Sequence, residues 1–563
     1  MDRIWHNNYD PGVASSREYP ETCMPFVLEQ NARLVPDNIA TDFFGATLTY
    51  RQLWDQVLRL ANGLKRMGVG EKTKIAIMLP NSPQCVIAYY AGLWLGATVV
   101  MTNPLYVERE LTHQWRDSDA ELLFVLDHLY PKAQKVLPDT KIRTAIVTSL
   151  KDYLPIHLRY LYPLKARFEK LFTSVPYDNT SVVSFTKMIG KNRPDPIPGA
   201  ATPDGLALLQ YTGGTTGISK GSMLTHRNIV SNVVQLTSWF PDLNRGKDRF
   251  ISVLPFFHAF GLTVALNLAI YTGCSIILLP RFDADEVIRT IKKKRPTIFP
   301  GVPAIYTALL SHPKVDSFDL TSIRFCVTGA APMPVEIIRR FEQKTRSIIV
   351  EGYGLSEASP VTHANPIYGT HKPGSIGIAL PDTDCRIVDA ETGTREMPTY
   401  QVGELIISGP QVMKGYWKKE KETLDVLRNG WLYTSDLATM DSSGYVFIVD
   451  RKKDLVISSG YNIYPREIEE VLYEHPKVRD AAAIGVPHPK TGEAVKIFIV
   501  PKRGETIGCQ EILDWCREKL APYKIPREVE FRDSLPKTIV GKVLKRELRS
   551  EELARRLTAK DGQ

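Results

Sequence analysis

The segment Tyr211-Thr212-Gly213-Gly214-Thr215-Thr216-Gly217-Ile218-Ser219-Lys220-Gly221 is where this 563-residue chain most plainly carries chemistry. Its glycines free the backbone to turn N–H groups toward one point, and its hydroxyls and Lys220 add donors and positive charge. A polyphosphate needs that combination. The segment is not a Walker A loop, because no Lys-Ser/Thr pair follows the last glycine at the required spacing. Taken alone, a Gly/Thr-rich stretch ahead of a helix is also what a flexible turn looks like.

The elements that must hold this loop follow from pattern. Short β-rich runs at residues 251–254, 275–279, 297–299 and 324–328 alternate with amphipathic helical patterns such as 283–294 and 334–344. Such alternation implies parallel sheets covered by helices. Residues 75–107 and 250–280 are uncharged for longer than a membrane span requires. The first is broken by Pro80, Asn81, Pro83 and Pro104, the second by Pro255, His258 and Gly273. Both therefore read as strand, buried helix, strand. The first divides into residues 74–79, 82–95 and 97–101.

Near Gly374 the texture changes to short strands with Gly/Asp turns, at residues 374–378, 384–389, 403–408 and 445–450, which predicts an antiparallel β-rich subdomain. The charged run Asp450-Arg451-Lys452-Lys453-Asp454 then reads as a boundary or hinge, or equally as a surface hairpin. Beyond it comes a compact α+β pattern. Pro465 opens a helix, strands follow at 481–486 and 495–500, and a second helix spans 510–520. The expected architecture is α/β: a large N-terminal domain, residues 1–450, of parallel-rich αβ subdomains plus a β-rich one, and a small mobile α+β domain, residues 451–563.

Further motifs stand in order along the chain. They are Phe257-His258-Ala259-Phe260-Gly261, Gly329-Ala330-Ala331-Pro332, Glu351-Gly352-Tyr353-Gly354-Leu355-Ser356-Glu357, Gly403-Glu404-Leu405, Gly415-Tyr416-Trp417, Tyr433-Thr434-Ser435-Asp436 and Pro536-Lys537-Thr538-Ile539-Val540-Gly541-Lys542. With the loop and the 450–454 run, they closely resemble the adenylate-forming superfamily of acyl-CoA synthetases, amino-acid adenylation domains and luciferases. The resemblance covers residues 36–549. Ser435 departs from it, standing where the family usually has glycine. Ser219 occupies a position where the family varies.

The resemblance implies roles residue by residue. Thr212, Gly213, Gly214, Thr215, Thr216, Gly217 and Lys220 would hold the β- and γ-phosphates of ATP, and Tyr211 beside them is a further ATP-binding candidate. Gly329, Ala330 and Ala331 would lie along adenine, with Tyr353 stacked on it between Gly352 and Gly354. Ser356 would approach the α-phosphate. Glu357, with Thr215, would hold Mg²⁺, a hard cation suited to carboxylate and phosphate oxygens. Asp436 and Arg451 would bind the ribose. Lys542 matches a mobile lysine that bridges the acid's carboxylate and the α-phosphate. Lys542, Glu357, Lys220 and His258 are thus the catalytic candidates. Lys453 matches the hinge pivot, and Gly460 and Tyr461 the path of coenzyme A.

The implied reaction uses ATP to turn a carboxylic acid into an acyl-AMP and then transfers the acyl group to coenzyme A. Ser458-Ser459-Gly460-Tyr461-Asn462-Ile463-Tyr464-Pro465 resembles bacterial long-chain fatty-acid–CoA ligases, as do residues 409–417 and 492–498. Trp239, Phe256, Phe257, Phe260, Ile305 and Tyr306 offer an apolar acyl lining. Alternatives are an acyl-AMP ligase, a medium-chain or aryl-acid CoA ligase, amino-acid activation, and an acyl-binding scaffold with a decayed site. No aspartate for an ammonium stands near His258, and Glu357, Asp436, Arg451 and Lys542 are all retained, which argues against the last two.

The bulk numbers are compatible with this. An apolar fraction of 43% and a charged fraction of 24% are ordinary for a soluble globular protein. The net charge of +9 fits polyphosphate ligands or an anionic membrane surface. Seven cysteines, an odd number with no C-x-x-C pair, favour a reducing compartment. The first residues have no apolar signal-peptide core. A cytoplasmic location is expected, with no nucleic-acid partner, and an oligomer is left open. Residues 151–172 interleave basic residues with Leu, Tyr and Phe, as a peripheral membrane element would. Pro163 speaks against one long helix there.

Overall fold

The structure, a computed structural model, describes residues 3–169, 171–212, 219–458, 461–489, 491–538 and 541–561, and within them the side chains of all but Lys165, Thr212 and 557–561. The candidate residues Gly213, Gly214, Thr215, Thr216, Gly217 and Gly460 lie outside the described residues.

The two uncharged stretches form the middle of the molecule. Strand Lys74–Met78, helix Pro83–Trp94 and strand Thr98–Met101 follow one another. Ser82 caps the helix by accepting the Cys85 N–H, and Pro83 takes the first turn, where its missing N–H costs nothing. Every residue of this helix is buried. A helix apolar all round must be covered all round. Here it shares one core with residues of both large sheets, among them Ile75, Val99, Ile251 and Ile276. The second stretch is strand Arg249–Ser252, a π-helical segment Gly261–Asn267 running into helix Leu268–Tyr271, and strand Ser275–Leu278. Among the described residues no helix is long and apolar enough to cross a membrane.

Among the described residues the strands make four sheets. The seven-stranded sheet is parallel except at one edge, where Leu206–Thr212 and Lys220–Thr225 pair antiparallel. The phosphate-loop residues connect that pair. The nine-stranded sheet is parallel through its centre and antiparallel at its ends, and carries strands Phe325–Thr328 and Ile348–Gly354 side by side. A five-stranded antiparallel sheet spans Asp384–Val388 to Val446–Arg451. The last sheet, built from Val456–Ser458, Tyr461–Ile463, Val478–His488, Gly492–Pro501 and Glu528–Phe531, packs helices Pro465–Tyr473 and Cys509–Lys519 over its own core.

Three expectations change. Of residues 374–378 only Ile378 is in a strand, Ile378–Ala379, and that strand belongs to the nine-stranded sheet. Gly374 and Gly377 have φ of 78° and 85°, which turns the chain instead of extending it. Strand Glu528–Phe531 and the terminal helix Lys545–Asp561 extend the small unit beyond the elements expected. Residues Ile156–Phe168 form one helix that continues through Pro163. Losing one hydrogen bond does not break it.

Gly377 stitches two sheets together. Its carbonyl accepts from Val446 N–H at 3.0 Å, and the Ile376 N–H donates to Val446 O at 2.9 Å. A Cβ on Gly377 would lie 2.0 Å from the Ala364 carbonyl carbon. Gly377→Ala should therefore cost more than about 3 kcal/mol, combining left-handed strain with overpacking. Urea unfolding checks this; an unchanged midpoint contradicts it.

Candidate active site

The Asp436 end of the cleft is built on a strand pair. Strands Trp431–Met440 and Val446–Arg451 run antiparallel and put Asp436 opposite Arg451. Arg451 Nε lies 3.1 Å from Asp436 Oδ1, and the Tyr353 hydroxyl donates to Oδ2 at 2.5 Å. Asp436 is nearly buried, so its charge must be paired. Its field, more than any other contact, holds the Arg451 pKa above the ordinary value. Burial, and then Asp436, push the Tyr353 hydroxyl well above its usual range, so it stays a donor.

Ser435 explains why glycine suits its position: its φ is 61°, in the left-handed region. Hydrogen bonds offset the strain. Ser435 N–H donates to Glu404 Oε1 at 3.0 Å, and Lys452 N–H donates to Ser435 O at 3.0 Å. The second Glu404 oxygen takes Lys452 Nζ at 2.9 Å. One buried carboxylate thus holds both the turn before Asp436 and the first residues past the strand end.

Beside this group the backbones of two strands approach too closely for side chains. A Cβ on Gly329 would sit 2.9 Å from Gly352 O, and one on Gly354 2.1 Å from Pro360 O. Ala330 is turned out with φ 69°. Gly329, Ala330, Gly352, Tyr353, Gly354 and Ser356 border one cavity of about 60 Å³, which His258 and Trp239 also line. Ala331 follows at the surface edge of the same turn.

Glu357 lies in the short turn Ser356–Ala358. Its Oε1 accepts from the Tyr416 hydroxyl at 2.8 Å. The Tyr416 ring lies 5.2 Å from Lys220 Nζ, so the acid and the loop cation flank one aromatic. Trp417 N–H donates to Gly221 O at 2.8 Å and pins the strand that carries Lys220. The Tyr211 hydroxyl is occupied elsewhere, donating to Asp117 Oδ2 at 2.6 Å.

Lys542 reaches the cleft from the small unit. Lys537 and Val543 pair across a tight hairpin, where the Lys542 N–H donates to Thr538 Oγ1 at 3.1 Å. Gly541, with φ 79°, would place a Cβ 3.6 Å from that of Ala304, so the hairpin abuts helix Pro303–Leu310 of the large unit. Lys542 is exposed to solvent, yet much protein lies around it. That crowding, followed by the Arg451 charge, lowers its pKa to about 8. His258 is pushed down to about 4, mainly by burial and then by Lys542, so it is neutral near pH 7. Lys453 is lowered by burial and by Lys220 and Arg451. Tyr461 is exposed and stacks on Tyr523, ring centroids 4.7 Å apart.

The structure thus brings Lys542, His258, Arg451, Asp436, Tyr353, Gly329 and Glu357 to one cleft, with Lys220 at its loop side. Two groups had no role assigned from sequence. Tyr416 and Glu404 stand inside quoted motifs, but their partners lie far along the chain, which spacing does not reveal.

A family model described as AMP-binding enzyme matches residues 28–417, and its C-terminal domain model matches residues 467–542. The chain belongs to the AMP-binding enzyme family. Curated relatives of this AMP-binding enzyme include the long-chain-fatty-acid–CoA ligase of Bacillus subtilis, 45% identical over 97% of this chain and 98% of that protein. The enzyme of the same name from Haemophilus influenzae is 37% identical, covering 99% and 100%. Among solved structures, ATP-bound MatB from Rhodopseudomonas palustris superposes with a TM-score of 0.81 at 30% identity, covering 93% and 98%. The anthranilate CoA ligase AuaEII, in complex with anthranoyl-AMP, gives 0.84 at 26%, covering 95% and 98%.

The Lys542 environment makes a prediction for this AMP-binding enzyme that needs no substrate. A lowered lysine pKa means the cation is present below about pH 8 and lost above it. Competitive acetylation across pH should give Lys542 a midpoint near 8, whereas ordinary lysines titrate near about 10.4. A Lys542 midpoint among the ordinary lysines contradicts the crowded cleft.

Proposed function

We propose that this enzyme activates a long-chain fatty acid with ATP and passes it to coenzyme A, giving acyl-CoA, AMP and pyrophosphate. The observation that carries the reading is the meeting, in one cleft, of the Lys542 cation, the Tyr353–Asp436–Arg451 group and an apolar cavity. Full-length relatives named long-chain-fatty-acid–CoA ligases support it.

A carboxylate is a poor electrophile because its oxygen leaves badly. Its attack on the α-phosphorus makes that oxygen part of AMP and expels pyrophosphate. Charge grows on phosphoryl oxygens, so the chain's task is to position reactants and counter negative charge. Lys542 faces the carboxylate and the α-phosphate, Lys220 faces the departing phosphates, and Asp436 with Arg451 takes the ribose hydroxyls. Neutral His258 sits at the mouth of the apolar cavity. Glu357 offers a carboxylate across the Tyr416 ring from Lys220 and would help hold a Mg²⁺ ion, which would supply further charge neutralisation. In the second step the thiol attacks the acyl carbonyl and AMP leaves.

We assign ATP and acyl binding to residues 1–450 and the mobile unit to 451–563, with Asp450–Asp454 as the hinge. Asp450 accepts N–H bonds from Arg451 and Arg466, and Arg549 lies 2.7 Å from Asp454, so the hinge is tied into the small unit. The Lys452–Glu404 pair ties it to the large one.

The cavity of about 60 Å³ is far too small for a long acyl chain. A long chain therefore enters only as its wall yields. Trp239 is the natural wall residue: its indole N–H donates to Asn365 O at 2.9 Å, and its ring meets Tyr9 edge-on at 5.1 Å. The second reading is an aryl acid, because a feruloyl-CoA synthase from Amycolatopsis is 36% identical over 92% of the chain. A long acid partitions into lipid, so contact with a membrane surface belongs to the same reading.

Each buried methylene contributes about 0.8 kcal/mol. Palmitate should therefore exceed butyrate in kcat/KM by several orders of magnitude in ATP- and CoA-dependent thioester formation. Ferulate or benzoate turning over better than palmitate assigns the enzyme to aryl acids. Butyrate matching palmitate removes the long-chain assignment.

A further inference from the structure

Between strand Thr148 and edge strand Val182 of the seven-stranded sheet, the chain inserts residues 149–181, a long connection for neighbouring parallel strands. Its centre is helix Ile156–Phe168. Ala166 is buried and Tyr162 partly so, fixing one face of the helix to the protein. The opposite face is apolar as well. Ile156, Tyr160, Leu164 and Phe168 recur every fourth residue, one above another on a helix, and are 71–91% exposed. Leu161 and Phe172 extend the ridge, both more than half exposed. Scattered exposed apolar residues need no explanation, but a contiguous ridge of six marks an interaction surface.

The charges beside the ridge indicate the partner. Residues 151–172 hold Lys151, Arg159, Lys165, Arg167 and Lys170 against Asp152 and Glu169. Arg159 and Arg167 are exposed. Asp152 is turned inward, accepting from Ser149 N–H and Thr148 Oγ1. The Arg167 guanidinium lies 5.0 Å over the Phe172 ring, so a basic head stands directly among apolar side chains. Large apolar residues flanked by long basic ones match the boundary between acyl chains and anionic headgroups. A second copy of the same face would bring like charges together.

We propose that helix Ile156–Phe168 and Phe172 form the surface by which this enzyme docks on an anionic lipid bilayer, lying in the interface without crossing it. The proposal rests on the fatty-acid reading for its purpose, since the acid dissolves in that bilayer, but the surface itself stands on exposure and charge.

The test is flotation of the full-length enzyme with vesicles of phosphatidylcholine containing about one third phosphatidylglycerol, at low and high salt. The wild type should float at low salt, less at high salt, and little with phosphatidylcholine alone. Leu164→Gln with Phe168→Gln should reduce the bound fraction roughly tenfold or more. Arg159→Glu with Arg167→Glu should remove the preference for anionic vesicles. Both variants should make acyl-CoA from detergent-dispersed palmitate at the wild-type rate, which also shows that they are folded. A wild type that does not float at low salt overturns the proposal. So does a Leu164/Phe168 variant that floats like the wild type, or a ridge that instead holds a dimer in sedimentation without vesicles. Flotation as expected by a wild type that makes no palmitoyl-CoA would fault the substrate assignment and leave the surface standing.

Discussion

The Asp436 carboxylate is the constraint on which the cleft depends. It is nearly buried, and a buried anion is tolerable only when its partners are fixed. Two side chains and one supported turn fix it. Tyr353 arrives from the end of a strand in the nine-stranded sheet, Arg451 from the neighbouring antiparallel strand, and the turn at Ser435 is held by Glu404. Satisfying one charge therefore aligns two sheets and sets the point where the chain leaves the large unit. Lys452 follows Arg451 directly and binds the same Glu404, so the seam between the units begins at the Asp436 site itself.

The second organising fact is an excess of positive charge. Burial first, and then neighbouring cations, lower the pKa of two lysines: Arg451 acts on Lys542, and Lys220 and Arg451 act on Lys453. Cations that disfavour one another cost stability unless an anion joins them. A nucleoside triphosphate is such an anion, and its arrival should raise those pKa values again. Burial, and then the Lys542 charge, keep His258 neutral where it lines the apolar cavity. The fold thus places a group of cations against an apolar cavity, as the proposed joining of ATP to a fatty acid requires.

How much of this could be read from residues alone varies with how local the cause is. Helix Pro83–Trp94 was legible because Pro80, Asn81 and Pro83 punctuate its start and its apolar run matches a fully buried helix. The strands flanking the Gly/Thr loop and the Lys537–Val543 pair beside Lys542 were not expected from the residues, although the motifs at those places were legible. Gly374 and Gly377 read as part of a strand, yet both have positive φ, and at Gly377 the close Ala364 backbone is a tertiary cause that no local pattern shows. Helix Ile156–Phe168 runs through Pro163, against the local rule. The Tyr416–Glu357 and Glu404–Lys452 contacts join residues far apart in the chain, and no spacing encodes them.

We propose that Lys542, carried by the mobile unit, serves the step in which the acid attacks ATP and is withdrawn before the thiol attack. Lys542→Ala tests it through the two half-reactions measured apart. ATP–pyrophosphate exchange with palmitate should fall about a hundredfold or more, the scale of losing one preorganised electrostatic contact. With presynthesised palmitoyl-AMP and coenzyme A, the folded variant should form palmitoyl-CoA at close to the wild-type rate. Equal loss of both half-reactions in a folded variant would give the lysine a second role and contradict the account.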